Sequence, residues 1–238
     1  MATKVGCCGF PRAKSIYFAQ FRVVEIQQTF YRPPGIETAE KWRSQAPSDF
    51  EFTLKAWQLI THSPKSPTYR KAKLKVPETK IDCYGFFRPT DEVFAAWEQT
   101  QKVAQSLKSS IVVFQSPASF TPTDENKRNM RSFFNAIDRG SFILVWEPRG
   151  EWKDVEIEQI CEQLDLIEAV DPFTRKIAFG QMNYFRLHGK GGYRYRFTDR
   201  DLFQLRRRCD EKKLNYCMFN NVFMYEDALR FSDLLFVR

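Results

Sequence analysis

SIVVFQ (110–115), DENKRNMRSFFNAI (124–137) and SFILVWE (141–147) follow one another closely in this chain. Ser110–Gln115 and Ser141–Glu147 are short apolar runs rich in Val, Ile and Phe. Strands buried on both faces look like this. Between them Met130, Phe133, Phe134 and Ile137 recur at helical spacing, so Asp124–Ile137 reads as an amphipathic helix. Strand, helix and strand in so short a span make a βαβ unit, which calls for a parallel sheet.

The same alternation extends in both directions. Lys4–Gly9, Val23–Thr29 and Phe50–Trp57 read as strands before it, and Leu166–Asp171, Tyr184–His188 and Tyr216–Asn220 as strands after it. Asp91–Leu107 reads as a helix with Thr90 as its N-cap, and Thr198–Lys212 as another with Thr198 as its cap. Met224–Phe236 is a further helix, and shorter ones fill the first two connections and the fifth. Eight strands alternating with helices over 238 residues predict one (β/α)8 barrel domain spanning 1–238. An open doubly wound sheet has the same periodicity.

The composition bounds the function. With 23 Phe, 9 Tyr and 5 Trp, the chain carries too much apolar area to stay unfolded. No stretch is apolar for long enough to span a membrane, and residues 1–20 show no secretory signal. Six cysteines without a C-x-x-C pair then imply reduced thiols and a cytoplasmic protein. The net charge of +8 favours anionic partners, a small molecule or nucleic acid. Gln58–Thr90 has no clear period and carries Lys65, Arg70, Lys71, Lys73, Lys75, Lys80 and Arg88. As a long basic loop after a strand it would overhang the C-terminal face, where barrels build their sites. Nothing in the pattern speaks to oligomeric state.

Six segments carry a resemblance. They are Val24-Glu25-Ile26 through Thr29-Phe30-Tyr31, Phe52-Thr53-Leu54-Lys55-Ala56 with Thr61-His62, Phe114-Gln115-Ser116-Pro117, Trp146-Glu147-Pro148-Arg149 with Trp152, Phe185-Arg186-Leu187-His188-Gly189, and Phe219-Asn220-Asn221. Together and in this order they resemble the YecE-like family, "domain of unknown function 72", over nearly the whole chain. The resemblance implies a TIM-like barrel and leaves the activity open. Relationship of that fold to the endonuclease IV and xylose isomerase group raises DNA binding. The family often opens with Gly-Thr-Ser-Gly-Trp, where this chain has Gly6-Cys7-Cys8-Gly9-Phe10.

In a barrel the strand ends converge on one bowl. Glu25, Lys55, His62, Gln115, Glu147, Arg149, Asp171, Arg186, His188, Asn220 and Asn221 would gather there. A polar group inside an apolar run is costly unless it is paired or used. The competing reading is a satisfied ion-pair network, for example Glu25 with Arg186. The Gly-rich His188–Arg196 stretch adds Lys190, Tyr193, Arg194 and Tyr195 after the seventh strand. Glycines let backbone N–H groups approach an anion there, and alternating Tyr and Arg can stack bases.

Two functions follow. In the first, a basic bowl binds a phosphorylated ligand (sugar phosphate, nucleotide or nucleic-acid segment) through Arg186, Lys190, Arg194 and Lys55. Glu147 or Glu25 would serve as general base and His188 as acid or orienting group, with Asp171 beside them, for hydrolase, isomerase or lyase chemistry. In the second, the basic loop and the Tyr-Arg repeat bind nucleic acid without catalysis. No nucleotide-cofactor fingerprint is present. A single divalent ion on Glu147, Asp171, His188 and Asn220 or Asn221 is conceivable. Two histidines are too few for a trinuclear zinc site.

Overall fold

The computed structural model describes residues 3–177 and 179–236; residues 1, 2, 178, 237 and 238 of the expected domain lie outside the described residues. Eight strands run in the order expected: β1 (Thr3–Cys8), β2 (Val23–Ile26), β3 (Glu51–Lys55), β4 (Ile111–Gln115), β5 (Ile143–Glu147), β6 (Ile167–Val170), β7 (Asn183–Leu187) and β8 (Asn215–Phe219). Each pairs in parallel with its neighbours in sequence, and β8 closes onto β1. The barrel is therefore closed, and the open-sheet alternative falls.

Among the described residues ten helices surround it: α1 (Lys14–Gln20), α2 (Gln28–Tyr31), α3 (Ile36–Gln45), α4 (Gln58–Thr61), α5 (Pro67–Lys71), α6 (Asp91–Ser106), α7 (Asp124–Ala136), α8 (Asp154–Leu164), α9 (Asp199–Arg208) and α10 (Met224–Phe236). Thr90, Thr123 and Thr198 cap α6, α7 and α9 with their hydroxyls, which satisfies otherwise orphaned N–H groups. Phe114, Phe133 and Phe134 pack with Phe87 and Trp97 in the layer between barrel and helices.

Three details differ from the sequence expectation. Gln58–Thr90 is not a structureless loop. It holds α4, α5 and a 3-10 turn at Glu78–Cys83. Elements of four to six residues are too short to print a periodic stripe. The segment folds back on itself: Gly85 N donates to Leu59 O (2.8 Å), Phe87 N to Ile60 O (2.9 Å) and the Tyr69 hydroxyl to His62 O (2.9 Å). The ninth helix ends at Arg208 rather than Lys212, because Cys209 turns extended. Finally, no helix lies between β6 and β7 among the described residues.

Side chains alternate in and out along every strand. The inner set includes Val23, Ile111, Val113, Val145, Ala169, Tyr184, Tyr216 and Met218, packed as a dry plug. The same parity carries inward to Cys8, Glu25, Lys55, Gln115, Glu147 and Arg186. These lie at or near the C-terminal ends of their strands, so the plug is apolar below and charged above.

Candidate functional site

The centre of the charged layer is Arg186, fully buried on β7. Its Nε and Nη2 donate to the two oxygens of Glu25 on β2 (3.1 and 2.7 Å). Its Nη1 donates to Glu147 on β5. The Tyr184 hydroxyl donates to Glu25 Oε2 (2.9 Å), and Gln27 donates to Oε1. Burial works against the charge on Arg186, but Glu147 and Glu25 overcome it and hold the guanidinium protonated. Arg186 is thus committed to two carboxylates, as the ion-pair reading of Glu25 with Arg186 supposed.

Above this lies a more open tier. Arg149 Nη2 reaches Glu147 Oε1 (2.8 Å) and His188 Nε2 (2.5 Å). His188 Nε2 also lies 3.2 Å from Glu147 Oε1, and its Nδ1 lies 3.2 Å from the Asn220 amide. The His188 backbone N–H donates to Asp171 Oδ2 (2.9 Å). A guanidinium can only donate. An unprotonated Nε2 accepts from Arg149 and a protonated one donates to Glu147, while the Asn220 Nδ2 faces Nδ1. Burial, against the pull of Glu147, lowers the His188 pKa and keeps the ring neutral at pH 7. Burial would raise the Glu147 pKa, but Arg186, Arg149 and His188 hold it well below the usual carboxylate range. Glu147 is a fixed anion and His188 a neutral base.

Glu147, Arg149, Asp171 and His188 line a cavity of about 260 Å³ with Thr174 and Arg175. Arg175 is the residue that sequence reasoning missed; it pairs with Asp154 (2.7 Å) and with Glu168. Its only signal was the basic Arg175-Lys176 step after the sixth strand. Gln27 was missed too. Cys8 lies 3.7 Å from Arg186 Nη2, its thiol held protonated by burial.

The remaining candidates are dispersed. Lys55 is buried on β3, bonded to Gln115 and 3.6 Å from the Phe30 ring centre. His62 packs on Phe30, and burial lowers its pKa to about 3. Lys190 pairs with Asp201 of α9, which also accepts from the Tyr195 hydroxyl (2.7 Å). Asn221 is fully buried and donates to Tyr195 O and Asp227 (both 2.8 Å), bracing the loop from below. Tyr193 and Arg194 are exposed.

The donor set does not suit a metal. Among the described residues no group of three or more His, Cys, Asp or Glu side chains is arranged to share an ion. The carboxylates of Glu25 and Glu147 already neutralise Arg186. No helix among the described residues is long and apolar enough to cross a membrane.

Fold and site together define a (β/α)8 barrel with a buried Glu-Arg-Glu cluster beneath a His-bearing mouth. The chain belongs to the family described as "Protein of unknown function DUF72", whose model matches residues 12–236. A DUF72 family protein from Enterococcus faecalis V583 is 18% identical, with 99% of this chain and 98% of that one covered at a TM-score of 0.74. One from Thermotoga maritima MSB8 is 19% identical over 99% of both chains, with a TM-score of 0.69. The fold is also similar to that of a D-psicose 3-epimerase determined in the presence of D-fructose (11% identity, 92% and 90% covered, TM-score 0.54). None of the curated proteins matches the chain.

Proposed function

We propose that the mouth binds a small hydroxyl-rich ligand with one anionic group, such as a sugar phosphate or nucleotide, and moves a proton on it. The observation that carries this is the meeting of His188, Glu147 and Arg149 at the wall of one cavity of about 260 Å³. A cavity of that size suits a single sugar-sized unit. Its charges nearly balance: Glu147 and Asp171 face Arg149 and Arg175, an arrangement for many hydrogen bonds and one phosphate rather than a polyanion.

The roles follow from protonation state. His188 is neutral and lines the cavity, so it is the group that can accept a proton. Arg149 is more than a third exposed along its side chain and can exchange Glu147 for a ligand oxyanion. Glu147, permanently ionised, orients both. The fold similarity to a sugar epimerase agrees with proton transfer on a polyol.

The test is thermal shift with ribose 5-phosphate against ribose and inorganic phosphate. A ligand selective for the native state raises the melting temperature. Ribose 5-phosphate should raise it and Arg149→Gln should remove the rise. No rise with any sugar phosphate or nucleotide would refute the reading. Exposed Tyr193 and Arg194 favour a second reading, non-catalytic nucleic-acid binding. That reading requires a rise with polynucleotide that collapses with salt and survives His188→Gln.

A further inference from the structure

Lys55 has surroundings unlike those of a structural lysine. It sits at the C-terminal end of β3, among the inward-facing charged residues, and only 6% of its surface is exposed. A buried ammonium normally takes a carboxylate partner. Among the described residues Lys55 has no carboxylate within 4.0 Å; its bonded neighbour is the neutral amide of Gln115. The ring face of Phe30 covers it on another side, 3.6 Å from Nζ to the ring centre. The nearby anions, Glu25 and Glu147, are held by Arg186 and Arg149. Gln115, which holds the amine, is itself partly exposed at the C-terminal end of β4.

We infer that Lys55 is a nucleophilic amine that condenses with the carbonyl group of an aldehyde or ketone ligand to form an imine. The neutral amine adds to the carbonyl carbon and a C–N bond forms. Both amine protons and the carbonyl oxygen leave together as water, and a C=N bond remains. A lysine serves this chemistry when desolvation and neighbouring cations keep its amine unprotonated.

The surroundings of Lys55 act on balance in that direction. Burial is the largest influence, Arg186 adds to it, and Glu147 and Glu25 oppose both; Arg149 adds a further push, and the Lys55 pKa falls to about 7. His62, the other titratable neighbour, is neutral. At pH 7 about half of Lys55 is free amine, against roughly one in a few thousand for an ordinary lysine. The condensation needs no phosphate, so it stands or falls separately from phosphate binding.

The experiment is reductive trapping on the whole protein. D-glyceraldehyde and sodium cyanoborohydride are added across pH 6–10, and adduct formation at each lysine is followed by peptide mass mapping. Lys55 should be modified first at pH 7, more than tenfold faster than surface lysines, with its rate half-risen near pH 7. Lys55→Arg should lose that adduct while its circular dichroism and remaining adducts stay as before. If the variant does not fold, the pH profile of the unaltered protein decides alone. An unmodified Lys55 peptide, or a Lys55 profile that rises with the surface lysines near pH 10, overturns the inference. Replacing the aldehyde by D-glyceraldehyde 3-phosphate shows separately whether a phosphate accelerates the adduct.

Discussion

Arg186→Met removes a guanidinium from between Glu25 and Glu147 and fills its stem volume with an apolar chain. Both carboxylates are at most 4% exposed along their side chains, so Glu25 is left without an arginine and Glu147 keeps only Arg149. Breaking a buried pair by deleting one partner costs about 3–5 kcal/mol. Glu147 retains Arg149, so the loss falls within that range. For a chain of this size the fall in Tm is roughly 6–20 °C. The pH dependence gives the sharper signature. In the parent, the depressed Glu147 pKa means its stabilisation is present above the unfolded carboxylate range and is lost as pH falls. In the variant Glu147 loses Arg186, the larger of its two arginine influences, and its folded pKa rises, so less of that stabilisation remains above the unfolded carboxylate range. The gap between parent and variant should therefore be widest near pH 8 and narrow toward pH 5. Urea unfolding at both pH values measures it. A gap under about 1 kcal/mol that does not change with pH would refute the buried-cluster argument.

Lys55→Met should flatten the stability profile between pH 7 and 10, where the parent gains up to about 1.4 kcal/mol per pH unit because the unfolded state binds a proton that the folded state has lost; urea midpoints across that range test it. Asp201→Asn should cost about 2–3 kcal/mol at pH 7, because the carboxylate serves Lys190, the Tyr195 hydroxyl and the Thr198 N–H together. Its depressed pKa means the loss shrinks in acid, which chemical denaturation at pH 7 and pH 3 would reveal. Gly85→Ala should destabilise by about 2–4 kcal/mol: φ is +75° and a Cβ would meet the His62 carbonyl carbon and oxygen at 2.4 Å. The melting temperature reads this out, and an unchanged value would mean that the 58–90 segment is not folded back as described.

The strands were legible because both faces of a barrel strand are buried. SIVVFQ and SFILVWE have no polar alternation to confuse them with surface hairpins. The polar inner layer was legible for the converse reason: Glu25 in VVEI, Lys55 in FTLK and Arg186 in YFRL each interrupt an apolar run. What each interruption does was not legible. Arg186 meets Glu25 and Glu147 only because closure brings β2, β5 and β7 around one axis, and no local spacing encodes that. Lys190 looked like a phosphate-loop cation, yet the loop delivers it to Asp201 on the next helix. Asn221 differs from Asn220 by one position, and that one step takes it out of the mouth and under the loop. The two short helices within 58–90 were invisible because backbone bonds to Leu59 and Ile60, not an apolar stripe, hold the segment together.

The bare connection after β6 has a dynamic consequence. β6 pairs with β5 through Ile167 and Glu168 and with β7 through Ala169 and Val170, whereas β7 pairs with β8 along all five of its residues. α8 packs against β6, but the ladders of β6 to both neighbours are the shortest in the barrel. Cooperative opening starts where ladders are shortest. Val170 and Asp171 at the end of this strand also line the cavity. Amide exchange at Ile167–Val170 should therefore outpace that of the neighbouring strands, and a ligand seated in the cavity should slow it. The barrel would breathe at the very seam through which its site is reached.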